Sequence, residues 1–312
     1  VTGASGFIAL HILNELLSNG YKVIGTIRAE SKGKQIANNF SKLYPKLISE
    51  GYLKFEIVPD IAAKGAFDHV LKNNQDIDFV LHTASPFSFG SDKSNEEAFL
   101  IPATQGTKNI LEATHKFGNQ VKHVVVTSSF AAIVNRNKSG DSSFIHTEET
   151  WNPIEWETAK LSEKTSYTAS KKLAEELTWK FIQDNQPKFT LTTVNPPYVL
   201  GPQQFEYGLD RASLNTSADY IRQAMDTTPD YPGPFDTLPG VSVDVRDVAK
   251  MHVLPLGDPK KFNGKRLFPV SGSVKGSRNF EDGKYNLERI LEVLNKNFPH
   301  ELKGKISPGG IK

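Results

Sequence analysis

Short apolar segments rich in valine and isoleucine alternate with helical segments along most of this chain. The apolar segments are "YKVIGTI", "LKFEIV", "DFVLHTA", "KHVVVTSS" and "FTLTTVNP", and polar residues bound each of them. Such short, continuous runs are typical of buried parallel strands. Helical patterns lie between them at about residues 6–18, 32–44, 63–73, 95–117 and 167–185. We therefore predict an α/β protein with a Rossmann-type doubly wound parallel sheet and helices on both faces.

Bulk composition excludes several classes of function. The 312 residues are 38% hydrophobic and 23% charged, which predicts a soluble globular protein, and the net charge of +2 offers no basic field for nucleic acid or a membrane. The sequence contains no cysteine, so disulfides, thiolate metal sites and cysteine nucleophiles are excluded, and a cytoplasmic enzyme is expected. No histidine pair has ligand spacing, so no metal is predicted. The chain begins at Val1, and we expect residues upstream of it.

The segment "VTGASGFIALHILNELL" combines the end of a strand, a glycine turn and a helix. Gly3 permits the tight turn, and Gly6 lets a pyrophosphate approach the backbone at the positive end of the helix dipole. Ala9 stands where a small residue allows close helix–strand packing. The alternative is a structural βα turn without a ligand. Because the complete βαβ context is present, the segment favours a bound dinucleotide.

The end of the next strand indicates which dinucleotide binds. An NAD site usually has an acidic residue there for the ribose hydroxyls, whereas this strand ends in Arg28, with Lys32 following. A guanidinium and an ammonium suit a 2′-phosphate, so we predict NADPH over NADH, against the alternative of a solvated basic turn. Glu30 lies between the two cations.

Other strand ends carry small polar residues at the edge of the sheet where α/β proteins bind ligands. Asp60 follows "FEIVP", and either caps the next helix or accepts a hydrogen bond from an adenine amino group. The segment "HTASPF" leaves room for a ribose, and "VVVTSSFAA" ends in Ser128 and Ser129. A serine there either ends the strand or donates a hydrogen bond to a substrate oxygen.

The segment "SYTASKKLAEELTWKFI" predicts a helix that begins near Tyr167. Its apolar stripe contains Leu173, Ala174, Leu177 and Phe181, and its charged residues Lys172, Glu175, Glu176 and Lys180 are expected away from that stripe. Tyr167 and Lys171 lie one turn apart on one flank of the stripe. The tyrosine either packs its ring against the sheet or acts as a proton donor whose pKa the lysine lowers.

These motifs together resemble those of the extended short-chain dehydrogenase/reductases. The matching segments are "TGASGFIA", "DI" at 60–61, "HTASP", "VVVTSS", "YTASK", "NPPYVLGP" and "VDVRDVA", in this order and over nearly the whole chain. Within that family the sequence is most similar to fungal NADPH-dependent methylglyoxal and carbonyl reductases, which are relatives of plant dihydroflavonol reductases. The long run "PVSGSVKGSRNFEDGKY" and the end of the chain after "ISPGGIK" depart from the family pattern.

The resemblance implies a catalytic triad of Ser129, Tyr167 and Lys171. It implies cofactor contacts by the residues Gly3, Ser5, Gly6, Phe7, Ile8, Arg28, Lys32, Asp60, Ile61, Thr83, Ala84, Ser85, Tyr167, Lys171, Pro196, Val199 and Ser217. It implies a substrate pocket walled by Phe87, Phe130, Val134 and Tyr198. The expected reaction is reduction of small aldehydes, ketones or α-dicarbonyls with NADPH.

After Pro196 the alternation of strand and helix patterns becomes less regular, and two segments are dense in proline and glycine, "NPPYVLGPQQF" and "TTPDYPGPFDTLPG". We expect these to be loops around a substrate pocket. The predicted organisation is a mainly NADP-binding Rossmann domain at 1–195 and a small C-terminal substrate-binding lobe at 196–312, with residues 240–255 returning to the Rossmann domain. The protein is expected to be a monomer or homodimer.

Two rival functions share this pattern. One is an epimerase or dehydratase of nucleotide sugars that keeps its cofactor bound, although Phe87, Phe130 and Tyr198 suit a small hydrophobic carbonyl better than a diphosphate. The other is a sensor that binds NADPH without catalysis, for which an intact Ser/Tyr/Lys set has no purpose. A tightly retained NAD would favour the first rival, and NADPH binding without turnover the second.

Overall fold

The computed structural model of the chain describes residues 1–85, 92–138, 140–141, 143–208, 214–219, 222, 241–273, 306–307 and 310–311. Its first two strands are β1 (Val23–Ile27) and β2 (Leu53–Ile57), which pair in parallel. Four further strands form a parallel sheet in the order β3-β4-β5-β8, where β3 is Phe79–His82, β4 is His123–Thr127, β5 is Thr190–Val194 and β8 is Lys265–Leu267.

Residues Val1 and Thr2 join these two groups of strands. The Thr26 amide donates to the Val1 carbonyl over 2.9 Å on one side, and the Thr2 amide donates to the Leu81 carbonyl over 2.9 Å on the other. Thr2 also forms a parallel bridge with His82. The first segment of the chain therefore lies in the middle of the sheet, between β1 and β3, which is the arrangement of a doubly wound fold.

Helices connect the strands. Their bounds are α1 Phe7–Ser18, α2 Glu30–Leu43, α3 Pro45–Ser49, α4 Asp68–Asn73, α5 Ile101–Phe117, α6 Trp156–Ala159, α7 Glu163–Asn185, α8 Val245–Gly257 and α9 Pro259–Phe262. A π-helical turn at Glu96–Leu100 leads into α5, and 3₁₀ turns lie at Phe130–Ala132, Arg136–Lys138 and Glu206–Gly208. From β1 to β5 the helices lie in the connections between successive strands, which are long because a tight hairpin cannot join parallel strands.

The two faces of β4 meet different helices. Val124 and Val126 belong to a buried cluster that also contains Leu177 and Phe181 of α7, and α7 packs against α5. The Thr127 hydroxyl lies 2.7 Å from Nε2 of His252 on α8, which packs against α1. Since successive side chains of a strand point to opposite faces, helices cover both faces of the sheet. The predicted doubly wound α/β fold is confirmed.

Contacts divide the chain into two compact units. The first contains Val1–Pro197 and Val245–Pro269, and the second contains Tyr198–Asp244 and Val270–Lys312. In the second unit, β6 (Tyr198–Leu200) pairs in parallel with β7 (Val241–Asp244), and β7 pairs antiparallel with β9 (Gly272–Ser273). A separate pair joins β10 (Ile306–Ser307) to β11 (Gly310–Ile311). The roles predicted for 1–195 and 196–312 remain predictions.

Three structural expectations were wrong. The helix predicted at 63–73 is shorter, because turns occupy the residues up to Phe67 and α4 begins at Asp68. Helix α7 begins at Glu163, where a capping box of Ser162 and Thr165 satisfies its first amides. Lys172 and Glu175 are buried rather than on a solvent-facing side, because each is paired: Lys172 with the partly exposed Glu176 over 2.8 Å, and Glu175 with the largely buried Arg266 over 2.6 Å. The loop expected at 227–240, and the polar run at 271–284 beyond its first three residues, lie outside the described residues.

Candidate active site

The glycine turn at the start of the chain has the geometry that its sequence predicts. Gly3 has a φ of +64°, and a Cβ added there would lie 3.0 Å from the Cα atom of Ala84. Only glycine meets both conditions without strain. Gly6 is the N-cap of α1 and is exposed, and the first turn of this helix contains no acidic residue. Phe7 and Ile8 therefore begin a helix whose uncapped amides suit an anion.

Thr2 fixes the end of β3 beside this turn. Its hydroxyl accepts hydrogen bonds from the amides of Thr83 and Ala84, both over 3.1 Å, and the Thr83 hydroxyl donates to the Thr2 carbonyl. The Thr2 hydroxyl also lies 2.8 Å from Nδ1 of His82. Burial lowers the pKa of His82 to about 3, so its ring is neutral. Thr83, Ala84 and Ser85 are half-buried next to the glycine turn, and Phe87 lies outside the described residues.

The cations predicted to select the dinucleotide are both exposed. Arg28 directly follows β1, and Lys32 lies in the first turn of α2. Neither side chain forms an ion pair with any residue that the structure describes. Glu30, which lies between them, is paired with Lys34 over 2.8 Å. The Glu30 carboxylate therefore pairs with a lysine one turn further along the helix and not with Arg28 or Lys32.

Asp60 and Ile61 have different environments. The exposed Asp60 carboxylate accepts a hydrogen bond from the Ala62 amide over 2.9 Å, so it caps a turn rather than the helix expected there. Ile61 is buried against Gly106 of α5, where a Cβ would lie 2.4 Å from its Cδ1 atom. Asn109 donates to the Ile61 carbonyl over 2.8 Å and fixes this loop. The Ile61 side chain thus belongs to the core, and only Asp60 offers a side chain to a ligand.

Helix α7 carries Tyr167 and Lys171 one turn apart. The ammonium nitrogen of Lys171 lies 5.8 Å from the centre of the Tyr167 ring. Burial lowers the pKa of Lys171 to about 8, so this side chain is a desolvated cation near neutral pH. Both residues are half-buried. A cation in this position favours the ionised form of a neighbouring phenol.

Ser129 lies where β4 has ended and the 3₁₀ turn Phe130–Ala132 begins, and this turn packs against α7. Its hydroxyl oxygen accepts a hydrogen bond from the Ala131 amide over 3.1 Å, which leaves the hydroxyl proton for another acceptor. The Phe130 amide donates to the Pro196 carbonyl over 2.9 Å. The structure therefore brings Ser129, Pro196 and the helix of Tyr167 together in the first unit.

Aromatic rings surround the residue after Ser129. Phe130 stacks on Phe268, with ring centres 5.0 Å apart and planes 3° apart, and its edge meets His146 at 5.7 Å. Val134 is half-buried, and its amide donates to the Phe130 carbonyl over 2.9 Å. These side chains form an apolar surface beside the Ser129 segment.

Three predicted site residues belong to the second unit. Val199 is buried on β6, Tyr198 precedes it, and the Ser217 hydroxyl donates to the Val199 carbonyl over 2.5 Å. This bond ties the segment of Ser217 to the strand. Ser217 thus has a structural bond within its own unit.

Sequence reasoning did not single out Glu175 as a functional residue and did not name Arg266 or Phe268. Glu175 lies one turn beyond Lys171 on α7, so its spacing from Tyr167 and Lys171 was a usable signal. Arg266 and Phe268 carry no such signal, because they reach the site through strand β8, far along the chain. A cavity of about 520 Å³ lined by Arg136, Asn152, Lys164 and Thr168, among others, contains none of the predicted site residues in its wall.

The chain belongs to the NAD dependent epimerase/dehydratase family, whose model matches residues 1–268. The predicted family of extended short-chain dehydrogenase/reductases is thereby confirmed. None of the helices in the described part of the chain combines the length and apolarity that crossing a membrane requires.

Relatives within that family are named reductases. The chain is 40% identical over 316 residues to the NADPH-dependent methylglyoxal reductase GRE2 of Saccharomyces cerevisiae, covering 99% of this chain and 84% of the relative. The crystal structure of yeast methylglyoxal/isovaleraldehyde reductase Gre2 complexed with NADPH matches with a TM-score of 0.81 and 37% identity over 96% of this chain and 82% of that one. Gre2 from Candida albicans in complex with NADPH matches with a TM-score of 0.81 and 39% identity over 98% and 83%.

Proposed function

We propose that this protein is an NADPH-dependent reductase that converts small aldehydes, ketones or α-dicarbonyls to alcohols. The Saccharomyces cerevisiae relative of 40% identity is named an NADPH-dependent methylglyoxal reductase, and the matching Gre2 structures are complexes with NADPH. Within this chain, one observation carries the proposal: a desolvated Lys171 cation lies one helical turn from Tyr167, on a helix packed against the Ser129 segment. Such a cation serves a proton donor whose ordinary pKa is too high for neutral pH.

The residues of the first unit fit NADPH. The backbone at Gly3 and Gly6 and the first turn of α1 suit the pyrophosphate, and Arg28 and Lys32 suit the 2′-phosphate. We further assign cofactor contacts to the residues named above at the ends of β2 and β3 and to Pro196. The contacts that the family resemblance implies for Val199 and Ser217, in the second unit, remain predictions. When bound, NADPH supplies the hydride.

The proposed proton transfer uses the triad. Tyr167 donates its phenolic proton to the carbonyl oxygen as the π electron pair of the C=O bond moves onto that oxygen. Lys171 stabilises the phenolate that remains and holds the hydroxyls of the nicotinamide ribose. Ser129 donates a hydrogen bond from its hydroxyl to the same carbonyl oxygen and keeps its own proton. The alcohol is complete when the carbon has received its hydride.

Phe130 and Val134 are the proposed wall of the substrate pocket. The parts that the family resemblance implies for Tyr198 and Phe87 remain predictions. Phe130 and Val134 present an apolar surface beside Ser129, which suits a small hydrophobic carbonyl. Action in the cytoplasm as a monomer or homodimer is also part of this proposal, supported by the cysteine-free sequence for the compartment.

The test is oxidation of NADPH, and separately of NADH, by the purified protein with a panel of small ketones, α-dicarbonyls and aldehydes. We expect loss of the nicotinamide absorbance with NADPH in strong preference to NADH. No oxidation with any carbonyl would reject the reductase proposal. NAD carried through purification would then favour the epimerase class that the family also contains.

A further inference from the structure

A buried carboxylate on α7 lies behind the proposed triad. Glu175 is inaccessible to solvent, and its two oxygens accept hydrogen bonds from five side chains. The donors are Ser128 at 2.5 Å, Asn195 at 2.6 Å, Arg266 at 2.6 Å, Thr193 at 3.0 Å and Trp179 at 3.2 Å. Three of the five donors lie in or next to the strand ends of β4 and β5. The carboxylate is thus the common acceptor between helix α7 and the catalytic edge of the sheet.

Arg266 extends this network to the loops. Its side chain is 8% exposed, and its guanidinium donates to the carbonyls of Glu148 and Thr150, both over 2.7 Å. It also donates to the Ala132 carbonyl over 3.4 Å and stacks on Trp151, 3.9 Å from the ring centre. All of these residues belong to the first unit.

Four successive attachments hold the segment that contains Ser129. The Ser128 hydroxyl donates to Glu175, Asn195 donates to the Ser129 carbonyl over 3.4 Å, and the Ala132 carbonyl accepts from Arg266. The fourth attachment is the bond from the Phe130 amide to the Pro196 carbonyl. The Ser129 side chain itself is not part of the network. Its backbone is fixed on both sides, so its hydroxyl direction relative to α7 depends on these bonds.

We infer that Glu175 and Arg266 are positioning residues that set the Ser129 hydroxyl against Tyr167 for the carbonyl oxygen. This inference rests on the proposed reductase function. The two residues act through Ser129 and touch neither substrate nor cofactor. Small displacements of a catalytic group cost large factors in rate, up to about 10²-fold for a shift near 1 Å. A change in the hydrogen bonds of Glu175 and Arg266 should therefore lower the rate of carbonyl reduction even when the protein remains folded.

A purely structural role for the pair is the competing explanation. A buried ion pair does not by itself indicate stability, since well-packed apolar residues often replace one without loss. The specific feature here is that the pair holds the segment on both sides of Ser129, because Ser128 donates to Glu175 and the Ala132 carbonyl accepts from Arg266. A structural role predicts the same fractional loss of activity whether Ser129 is present or absent.

The test is a double-mutant cycle in turnover with a carbonyl that the parent protein reduces. The variants are Glu175→Gln, Ser129→Ala and their combination, with NADPH affinity and the melting temperature measured for each. We expect Glu175→Gln to lower kcat by roughly 10- to 100-fold in the parent and by less than about 3-fold beside Ser129→Ala, because the interaction acts through that serine. NADPH affinity should stay within about 2-fold, since none of the five donors to the Glu175 carboxylate is a proposed cofactor contact.

Asp78→Asn is the matched control. Asp78 pairs with Lys122 over 2.6 Å, the same separation as the Arg266–Glu175 pair, but before the strands begin and with both side chains partly exposed. This carboxylate-to-amide change should leave kcat within about 2-fold. Ser128→Ala is the second variant. It removes one donor to Glu175 and should lower kcat several-fold without unfolding the protein.

Each outcome decides the inference. A folded Glu175→Gln protein with at least half of the parent kcat would overturn it, and so would equal fractional losses in both backgrounds. If Glu175→Gln does not fold, a Ser128→Ala protein with unchanged kcat overturns the inference, whereas a several-fold loss at unchanged melting temperature supports it. An inactive parent would reject the reductase function together with this inference, while an active parent separates the two.

Discussion

The two ends of the proposed cofactor site are built differently. At the chemical end, Lys171 is desolvated and the Ser129 segment is tied by buried hydrogen bonds to Glu175 and Arg266. At the phosphate end, Arg28 and Lys32 are exposed on a turn and the first turn of a helix. Folding alone fixes the chemical groups, whereas the phosphate-binding cations meet their ligand from solvent. Changes at the chemical end should therefore lower kcat, and changes at the phosphate end should raise KM for NADPH.

The largest effect is expected from Tyr167→Phe at the chemical end. Removing the phenolic proton should lower kcat by roughly 10²-fold or more, the contribution of a general acid. KM for NADPH should change little, because the ring and the neighbouring Lys171 remain. Steady-state kinetics with a reactive carbonyl measures both constants. Near-normal kcat would remove Tyr167 from the mechanism.

The double change Arg28→Ala and Lys32→Ala tests the phosphate end. Loss of two charge-assisted contacts, each worth at least about 1.5 kcal/mol, should raise KM for NADPH by about 10²-fold. KM for NADH and kcat should be almost unchanged, so the ratio of the two cofactors is the decisive quantity. Lys34→Ala is the matched control, because it removes a cation of the same helix that is already paired with Glu30. An unchanged cofactor ratio in the double variant would show that this end does not select the phosphate.

The pH dependence of kcat/KM for NADPH probes the desolvated lysine. Burial lowers the pKa of Lys171 to about 8, below its ordinary value, so the cation is present below pH 8 and is lost as pH rises through 8. We expect kcat/KM for NADPH to fall about tenfold per pH unit above this value, since this constant reports the free enzyme. Lys171→Arg keeps its charge over this range, so its residual activity should not fall there. A parent profile that stays flat to pH 10 would contradict this role of the cation.

The smallest effect is expected at the aromatic surface beside Ser129. Phe268→Ala removes the ring that stacks on Phe130. Such a pair contributes about 0.5–1.5 kcal/mol, so KM for a hydrophobic carbonyl should rise by roughly 2- to 10-fold while KM for NADPH stays constant. Phe268→Leu, which keeps apolar area, should lie between the parent and the alanine variant. Identical KM values for the carbonyl in all three proteins would show that Phe130 does not form part of the substrate pocket.

The features that could be predicted from the sequence are those determined by residues close together along the chain. The glycine turn needs a positive φ at Gly3, a requirement that the motif itself expresses, and apolar runs mark the parallel strands. The burial of Glu175 could not be predicted in this way. A glutamate is normally placed on the exposed side of a helix, and the cation that compensates its charge here is Arg266, which strand β8 brings close from far along the chain. Ile61 likewise becomes a core residue only because Gly106 of another helix leaves room for it.

The proposed carbonyl reduction is tested most directly by following the transferred hydride. A single turnover with NADPH deuterated on the transferred C4 position, followed by NMR of the product, shows where the deuterium goes. We predict an alcohol that carries deuterium on the former carbonyl carbon, with one NADP⁺ formed per alcohol, and a rate that falls by roughly 10²-fold in Tyr167→Phe. A product without deuterium, or an isomerised product with the cofactor unconsumed, would contradict the reductase function and place the protein among the enzymes that retain their cofactor.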